Sequence, residues 1–122
     1  MSFAPIFATL KAASAVTALI GSSPCRCYPH GEAPQAVTAP YVVFQQVGGG
    51  PENYLNQAPD IDGATTQIDA YASTVESARA VAVACRNALQ AIGHVVSVRE
   101  LGRDPITNHY RVSFDVDCYV NR

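Results

Sequence analysis

The sequence contains few charged residues. Only 15% of its 122 residues are charged, whereas soluble globular domains carry about 25%. Hydrophobic residues make up 48%, which is too many for a disordered chain. A surface with so little charge favours coverage by other subunits, so we expect the protein to work in an assembly.

An excess of basic residues is also missing. Eight Lys and Arg stand against ten Asp and Glu, a formal net charge of −2. A domain that binds nucleic acid through its phosphates needs a basic face, and the basic residues here are scattered along the chain. Binding of nucleic acid by electrostatic attraction is therefore not expected.

No segment approaches the roughly 18 apolar residues that a membrane span requires. The apolar stretch from Met1 to Ile20 carries Lys11 in its middle, where the apolar region of a signal peptide should be uninterrupted. We interpret this stretch as an amphipathic helix and expect a protein made in the cytoplasm, without contact to a membrane.

The pattern expected of a structural metal site is incomplete. Cys25 and Cys27 have one residue between them, with His30 close behind. A zinc site usually begins with two to four intervening residues and needs a second pair of ligands. Cys85 and Cys118 fall on predicted apolar faces, where cysteine acts as a small hydrophobic residue. The first two cysteines are interpreted as an incidental cluster in a loop.

Enzyme signatures are equally incomplete. The stretch 60–63 begins like a calcium loop but lacks the later glutamate, and 48–51 is not followed by the Lys-Ser/Thr of a phosphate loop. The stretch 21–24 lacks the spacing of a nucleophile elbow. We therefore expect no cofactor, no metal and no catalytic residue, although a triad assembled from distant residues stays open as an alternative.

The first half of the chain predicts a helix, a connection, a strand and a loop. Apolar residues at helical spacing predict a helix over 4–20, and Gly21 ends it. A proline-rich irregular connection over 22–40 follows, with a short extended piece around Arg26 to Tyr28. Residues 41–47 predict a strand. The range 48–63, rich in Gly, Pro, Asn and Asp, predicts a long projecting loop.

The second half predicts a strand, a helix and two more strands. A strand over 65–72 precedes a helix that begins with a capping box of Ser73 and Glu76 and ends near Ile92, before Gly93. Strands over 94–101 and 110–120 follow, joined by a turn. The order α-β-β-α-β-β predicts a single α+β domain over 1–122, with a four-stranded, mostly antiparallel sheet and two helices packed on one face.

Strict alternation of apolar and polar residues in two of the predicted strands separates a buried face from an open face. The strand over 65–72 places Thr66, Ile68 and Ala70 on the buried side. The open face is then expected to carry Gln67, Asp69, Tyr71, Arg111, Ser113, Asp115, Asp117 and Tyr119. This composition, mostly polar and aromatic, suits an interface or a channel wall.

Several segments together resemble the tail-completion, or tail-terminator, protein family of long-tailed bacteriophages and gene transfer agents. The resemblance covers most of the chain and depends on the order of its segments. They are the helix ended by Gly21, Cys27-Tyr28-Pro29, Pro40-Tyr41-Val42-Val43-Phe44-Gln45, Gln67-Ile68-Asp69-Ala70-Tyr71-Ala72, Ser73-Thr74-Val75-Glu76-Ser77-Ala78 and Tyr110-Arg111-Val112-Ser113-Phe114. The family often has Ile or Val near the position of Tyr28, where this chain has Arg26 and Cys27.

This resemblance implies a mechanical role in a virion and not an enzyme. Members of the family form a hexameric ring at the tail-neck junction, which caps the tail tube, ends its polymerisation and joins it to the head connector. The expected partners are further copies of the chain, the tail tube protein and the connector or stopper protein. DNA would pass through the lumen without sequence-specific binding. Assembly would take place in the cytoplasm of the bacterial host.

Two hypotheses about sites follow. The open face would form the interface between copies or the wall of the lumen, through Asp69, Tyr71, Arg111, Asp115, Asp117 and Tyr119, and its aspartates would make the lumen negative. The long loop would contact the tube or the connector, through Asn53, Tyr54, Leu55, Asn56, Asp60 and Asp62. The alternatives are another neck or head-completion protein, or a small ligand-binding or enzymatic α+β domain with a polar pocket.

Overall fold

The computed structural model describes residues 5–22, 25–34, 37–51, 61–105 and 108–121, and for 48–51, 61–64 and 119–121 it describes the backbone. Three helices and five strands lie in these ranges. In chain order they are α1 (Ile6–Ala12), α2 (Ser14–Ile20), β1 (Cys27–Pro29), β2 (Tyr41–Pro51), β3 (Ile61–Ala72), α3 (Val75–Leu89), β4 (Gly93–Arg103) and β5 (Tyr110–Asn121).

The strands form one mixed sheet in the order β1-β2-β3-β5-β4. β1 is parallel to β2, and the other neighbours are antiparallel. The prediction of an α+β fold with a mostly antiparallel sheet is confirmed, but the strand number was wrong by one. β1 spans three residues, too few to show a periodic pattern, and it is held by its pairing with β2.

The N-terminal helix was predicted as one and is two, because the chain is extended at Ala13 (φ −88°, ψ 113°). α1 buries Ile6 and Leu10, and α2 buries Val16 and Ile20. Each pair has the four-residue spacing of one helical face. Leu10 and Val16 are six residues apart, which would put them on different faces of a continuous helix. The break lets both pairs join the same buried core, where the two short helices pack on α3.

α3 begins one residue later than predicted. Thr74, not Ser73, is the N-cap, and its hydroxyl accepts a hydrogen bond from the backbone N–H of Ser77 at 3.1 Å. The helix ends at Leu89 instead of near Ile92. Gly93 is therefore not a helix stop: it opens β4, and a Cβ there would lie 2.7 Å from the backbone oxygen of Asp117. Close strand packing explains this glycine.

β2 and β3 are longer than predicted. The Gly, Pro and Asp content of 48–51 and 61–63 predicted a loop. In the structure both stretches belong to strands and are paired with their neighbours. A bulge at Val47 separates this pairing from the regular ladder, because Gln46 pairs with Thr66 and Gly48 with Thr65. Backbone pairing of this kind needs no apolar alternation, which is why the sequence did not show it. The remaining loop positions, 52–60, lie outside the described residues.

The core lies between the helices and one face of the sheet. Phe114, Leu10, Ile20, Ile68 and Leu89 are its largest fully buried side chains. Cys85 and Cys118 are buried as predicted. Cys25 and Cys27, interpreted as a loop cluster, are also buried, at 6% and 2% exposure. They line the core because β1 joins the sheet beside α1.

Candidate interaction surface on the open sheet face

The alternation of side chains separates two faces of the sheet, but the middle of the face predicted to be open is itself shielded, with Asp69 7% and Ser113 0% exposed. Thr66, Ile68 and Ala70 are buried on the side of the helices. On the opposite side, cross-strand pairing aligns the polar residues in rows over β2, β3 and β5. The rows are Tyr41–Tyr71–Arg111, Val43–Asp69–Ser113 and Gln45–Gln67–Asp115, followed by Thr65–Asp117. We call these residues, with Arg99 of β4, the open face.

The open face therefore brings together five of the six residues predicted for it: Asp69, Tyr71, Arg111, Asp115 and Asp117. For Tyr119 the structure gives the backbone, which pairs with Gly63. Of the residues predicted for the contact loop, Asp62 is in β3, where it pairs with Pro51 and Val120. Asn53, Tyr54, Leu55, Asn56 and Asp60 lie outside the described residues.

Asp69 is held in place by two neighbours. Its Oδ2 atom lies 3.4 Å from Nη2 of Arg111, and Nε2 of Gln67 donates to both carboxylate oxygens at 3.1 and 3.2 Å. Asp69 is only 7% exposed, although no described helix covers this face. A carboxylate this well shielded requires its charge partner, because an unpaired buried charge is costly.

Arg99 is a member of the open face that the sequence did not identify. Its guanidinium donates to both oxygens of Asp115 at 3.2 and 3.4 Å, to Oγ of Ser113 at 3.1 Å and to the carbonyl of Ser97 at 2.9 Å. Ser97 has a positive φ of 55° within the bulge of β4. The bulge shifts the register, so the position of Arg99 opposite Ser113 could not be counted from the sequence.

Aromatic side chains form one end of the open face. The rings of Tyr41 and Tyr71 are stacked, with centroids 5.0 Å apart, and His109 meets Tyr41 edge-on at 5.8 Å. The guanidinium of Arg111 lies 5.9 Å from the centre of the Tyr71 ring. Burial is the main reason that the pKa of both tyrosines is raised. Tyr71 and Asp104 raise the pKa of Tyr41 further, while for Tyr71 the raising effect of Asp69 and Asp104 is opposed by Arg111. These phenols therefore stay neutral at physiological pH.

Ion pairs on the open face weaken the hypothesis that its aspartates would make the lumen negative. Arg111 is paired with Asp69 and Arg99 with Asp115, while the hydroxyl of Thr65 donates to Asp117 at 2.8 Å. The described part of the open face thus sets three carboxylates against two guanidinium groups. It presents a nearly balanced network and not a row of free carboxylates.

The described residues offer little for a metal or a reactive thiol. No three of their His, Cys, Asp or Glu side chains are arranged to hold a metal ion. All four cysteines are free and buried. Burial raises the pKa of Cys85 to about 12 and that of Cys27 still further, so the nucleophilic thiolate is suppressed. None of the described helices is long and apolar enough to cross a membrane.

Comparisons with known proteins agree with the resemblance seen in the sequence. One solved structure, "Virion of native gene transfer agent (GTA) particle", contains a chain with 19% identity and a TM-score of 0.59, covering 96% of this chain and 92% of that one. At this identity the match establishes the fold. No individually curated protein matches. The family described as "Tail completion protein gp17" matches residues 4–121, and the chain therefore belongs to this family of tail completion proteins.

Proposed function

We propose that the protein is a tail terminator: it forms a ring that caps the tail tube, ends tube polymerisation and joins the tube to the head connector. The observation that carries the proposal is the family match over nearly the whole chain. A completion protein has to bind other subunits, and the low charge content of 15% suits a chain whose surface is largely covered in its assembly.

In this ring, the open face forms the wall of the lumen and the helices lie outside. Two features of the open face support this arrangement. It is polar, and its charged side chains are bonded to one another, as in the pairs Arg99–Asp115 and Arg111–Asp69. A guanidinium that already holds a carboxylate attracts DNA phosphate much less than a free one does. DNA would therefore pass without being retained.

The loop between β2 and β3 is proposed to contact the tail tube or the connector. The strands on either side of it are paired as far as Pro51 and Ile61, beyond the ends of β1 and β4. A loop at this end of the sheet could contact a neighbouring ring without disturbing the core.

Replacing 52–60 by Asn-Gly tests this contact, because a two-residue turn of that type closes a β-hairpin. We expect the variant to fold, with an unchanged melting temperature, but to give overlong tails or tails without heads in electron micrographs. A matched control replaces 106–107, in the turn before β5, with Asn-Gly. Normal particles from the first variant would contradict the contact.

The proposed role itself is tested by particles that lack the protein. Disruption of its coding sequence should give tail tubes of uncontrolled length that do not join to heads, and supply of the protein in trans should restore full particles. Cryo-electron microscopy should place its density between tube and connector. Density elsewhere in the neck would support the alternative of another completion protein, and uniform tail length without it would contradict termination.

A further inference from the structure

At one end the sheet continues beyond its two outer strands. β1 pairs with β2 only as far as Phe44, and β4 pairs with β5 only as far as Cys118. β2 nevertheless continues to Pro51, β3 starts at Ile61, and β5 continues to Asn121. The result is a three-stranded extension, here called the ribbon, made of 48–51, 61–64 and 119–121.

Both outer strands of the ribbon have an edge that no described strand covers. The strand order places 48–51 on one side and 119–121 on the other, with 61–64 between them. Such edges present backbone N–H and C=O groups that can pair with another strand. The outer edge of β4 is different, because its register is interrupted between Val96 and Arg99 and again between Glu100 and Gly102. Bulges of this kind discourage pairing.

We infer that the two edges of the ribbon pair with each other between neighbouring copies of the chain, so that the sheets of the ring join into one continuous barrel. The inference rests on the proposed ring and names its subunit contact. β2 and β5 are both antiparallel to β3, so they run in the same direction. A copy placed beside another in the same orientation thus brings 48–51 of one alongside 119–121 of the next as parallel strands.

The pairing meets the requirement for a closed ring. A head-to-tail contact needs two different, complementary surfaces on each copy, and the two edges lie on opposite sides of one ribbon. Neither stretch, Gly48-Gly49-Gly50-Pro51 or Tyr119-Val120-Asn121, contains a charged residue, so no like charges oppose the contact. Three glycines in a strand are typical of a place where another backbone approaches closely.

A recess beside β2 supports an additional strand at this edge. It has a volume of about 300 Å³ and opens where β1 ends, with Pro29, Phe44, Gln45 and Thr66 among its lining residues. β1 occupies the position next to β2 only as far as Pro29. The recess lies beside Gln45 and Gln46, just before the ribbon begins, so a strand paired with 48–51 would have room to continue towards the end of β1.

Disulfide cross-linking tests the contact. Single variants Gly48→Cys, Gly49→Cys and Gly50→Cys are each mixed with Val120→Cys and oxidised in the presence of tail tubes. We expect cross-linked dimers only in mixtures, with one glycine position dominant. The control partner is Val98→Cys, on the outer edge of β4 and 59% exposed. The native cysteines are buried and stay unmodified.

Hydrogen exchange gives a second measurement that needs no variant. Among 48–50 and 119–121, the amides that point away from β3 should exchange at least about ten times more slowly in the ring than in the monomer, because they become hydrogen-bonded to the neighbouring copy. Cross-linking through Val98 instead of Val120, or a ring whose ribbon amides stay unprotected, would overturn the inference and leave the proposed ring intact. Failure of any ring to form on the tubes would overturn both.

Discussion

At the scale of single residues, the open face is held together by charged groups that the fold itself has neutralised. Asp69 is almost fully buried yet carries an ion pair with Arg111 and two hydrogen bonds from Gln67. The sequence alternation located these side chains on one face. It could not pair them, because a partner depends on strand register, and for Arg99 that register passes through the bulge at Ser97.

Asp69 should matter more for stability than Asp117. We expect Asp69→Ala to lower the free energy of unfolding by about 1–3 kcal/mol, because it leaves the half-buried Arg111 without its partner. Asp117→Ala removes one hydrogen bond from Thr65 and should cost about 0.5–1.5 kcal/mol. Urea unfolding of the two variants checks this order, and an equal or reversed effect would contradict the role of the Asp69 pair.

Buried thiols should make the protein less stable at high pH. The folded pKa of Cys85 is raised from 9.0 to about 12 by burial. Below pH 9 the thiol is protonated in both states and has no effect. Between pH 9 and 12 the unfolded chain loses this proton and the folded chain keeps it, so the free energy of unfolding falls by about 1.4 kcal/mol per pH unit for this thiol.

Urea unfolding of Cys85→Val at pH 8, 9 and 10 isolates this effect. The variant should lose part of the decline above pH 9. The remaining decline comes from the other groups whose pKa values are raised, which are Cys25, Cys27, Cys118, Tyr41 and Tyr71. An identical slope in the wild type and the variant would show that Cys85 titrates normally in the folded chain.

At the scale of elements, patterns with a strong period were predictable and irregular features were not. The alternation from Tyr110 onward identified β5 and both of its faces, and helical spacing identified α3. β1 was missed because three residues show no period. The glycine-rich ends of β2 were interpreted as loop because glycine and proline usually mark turns, while here they form a strand through backbone pairing alone.

The N-cap of α3 in the structure is not the residue that the sequence predicted. The capping box predicted Ser73 as N-cap, but the hydroxyl of Thr74 accepts the bond from Ser77. We expect Thr74→Ala to lower the free energy of unfolding by about 1 kcal/mol. Ser73→Ala, the matched control, should change it by less than about 0.5 kcal/mol. A larger effect at Ser73 in thermal unfolding would restore the original prediction.

At the scale of the whole molecule, the chain is a two-layer domain, and the proposed ring would place its sheet around the DNA. The helices cover one side of the sheet, and the other side has a balanced polar network. Family membership gives the role in tail completion.

The proposal that ion pairs keep DNA from binding to the lumen can be tested by removing the carboxylate partner of one arginine. In Asp115→Asn, Arg99 loses the carboxylate that it now holds and becomes available to phosphate. We expect the assembled variant to retain double-stranded DNA at low salt, with a binding constant that falls steeply as salt rises, while the wild-type ring does not retain it. Glu76→Gln, a change of equal charge at an exposed position of α3 on the other side of the sheet, serves as the control. Equal retention by both variants would contradict a lumen formed by the open face.

The mass of the protein in solution, measured by light scattering with and without purified tail tubes, tests the central claim most directly. The account predicts a closed ring of identical copies, either free in solution or formed from monomers on the tube. A tight dimer that is unchanged by tail tubes, or a monomer that does not bind them, would contradict it.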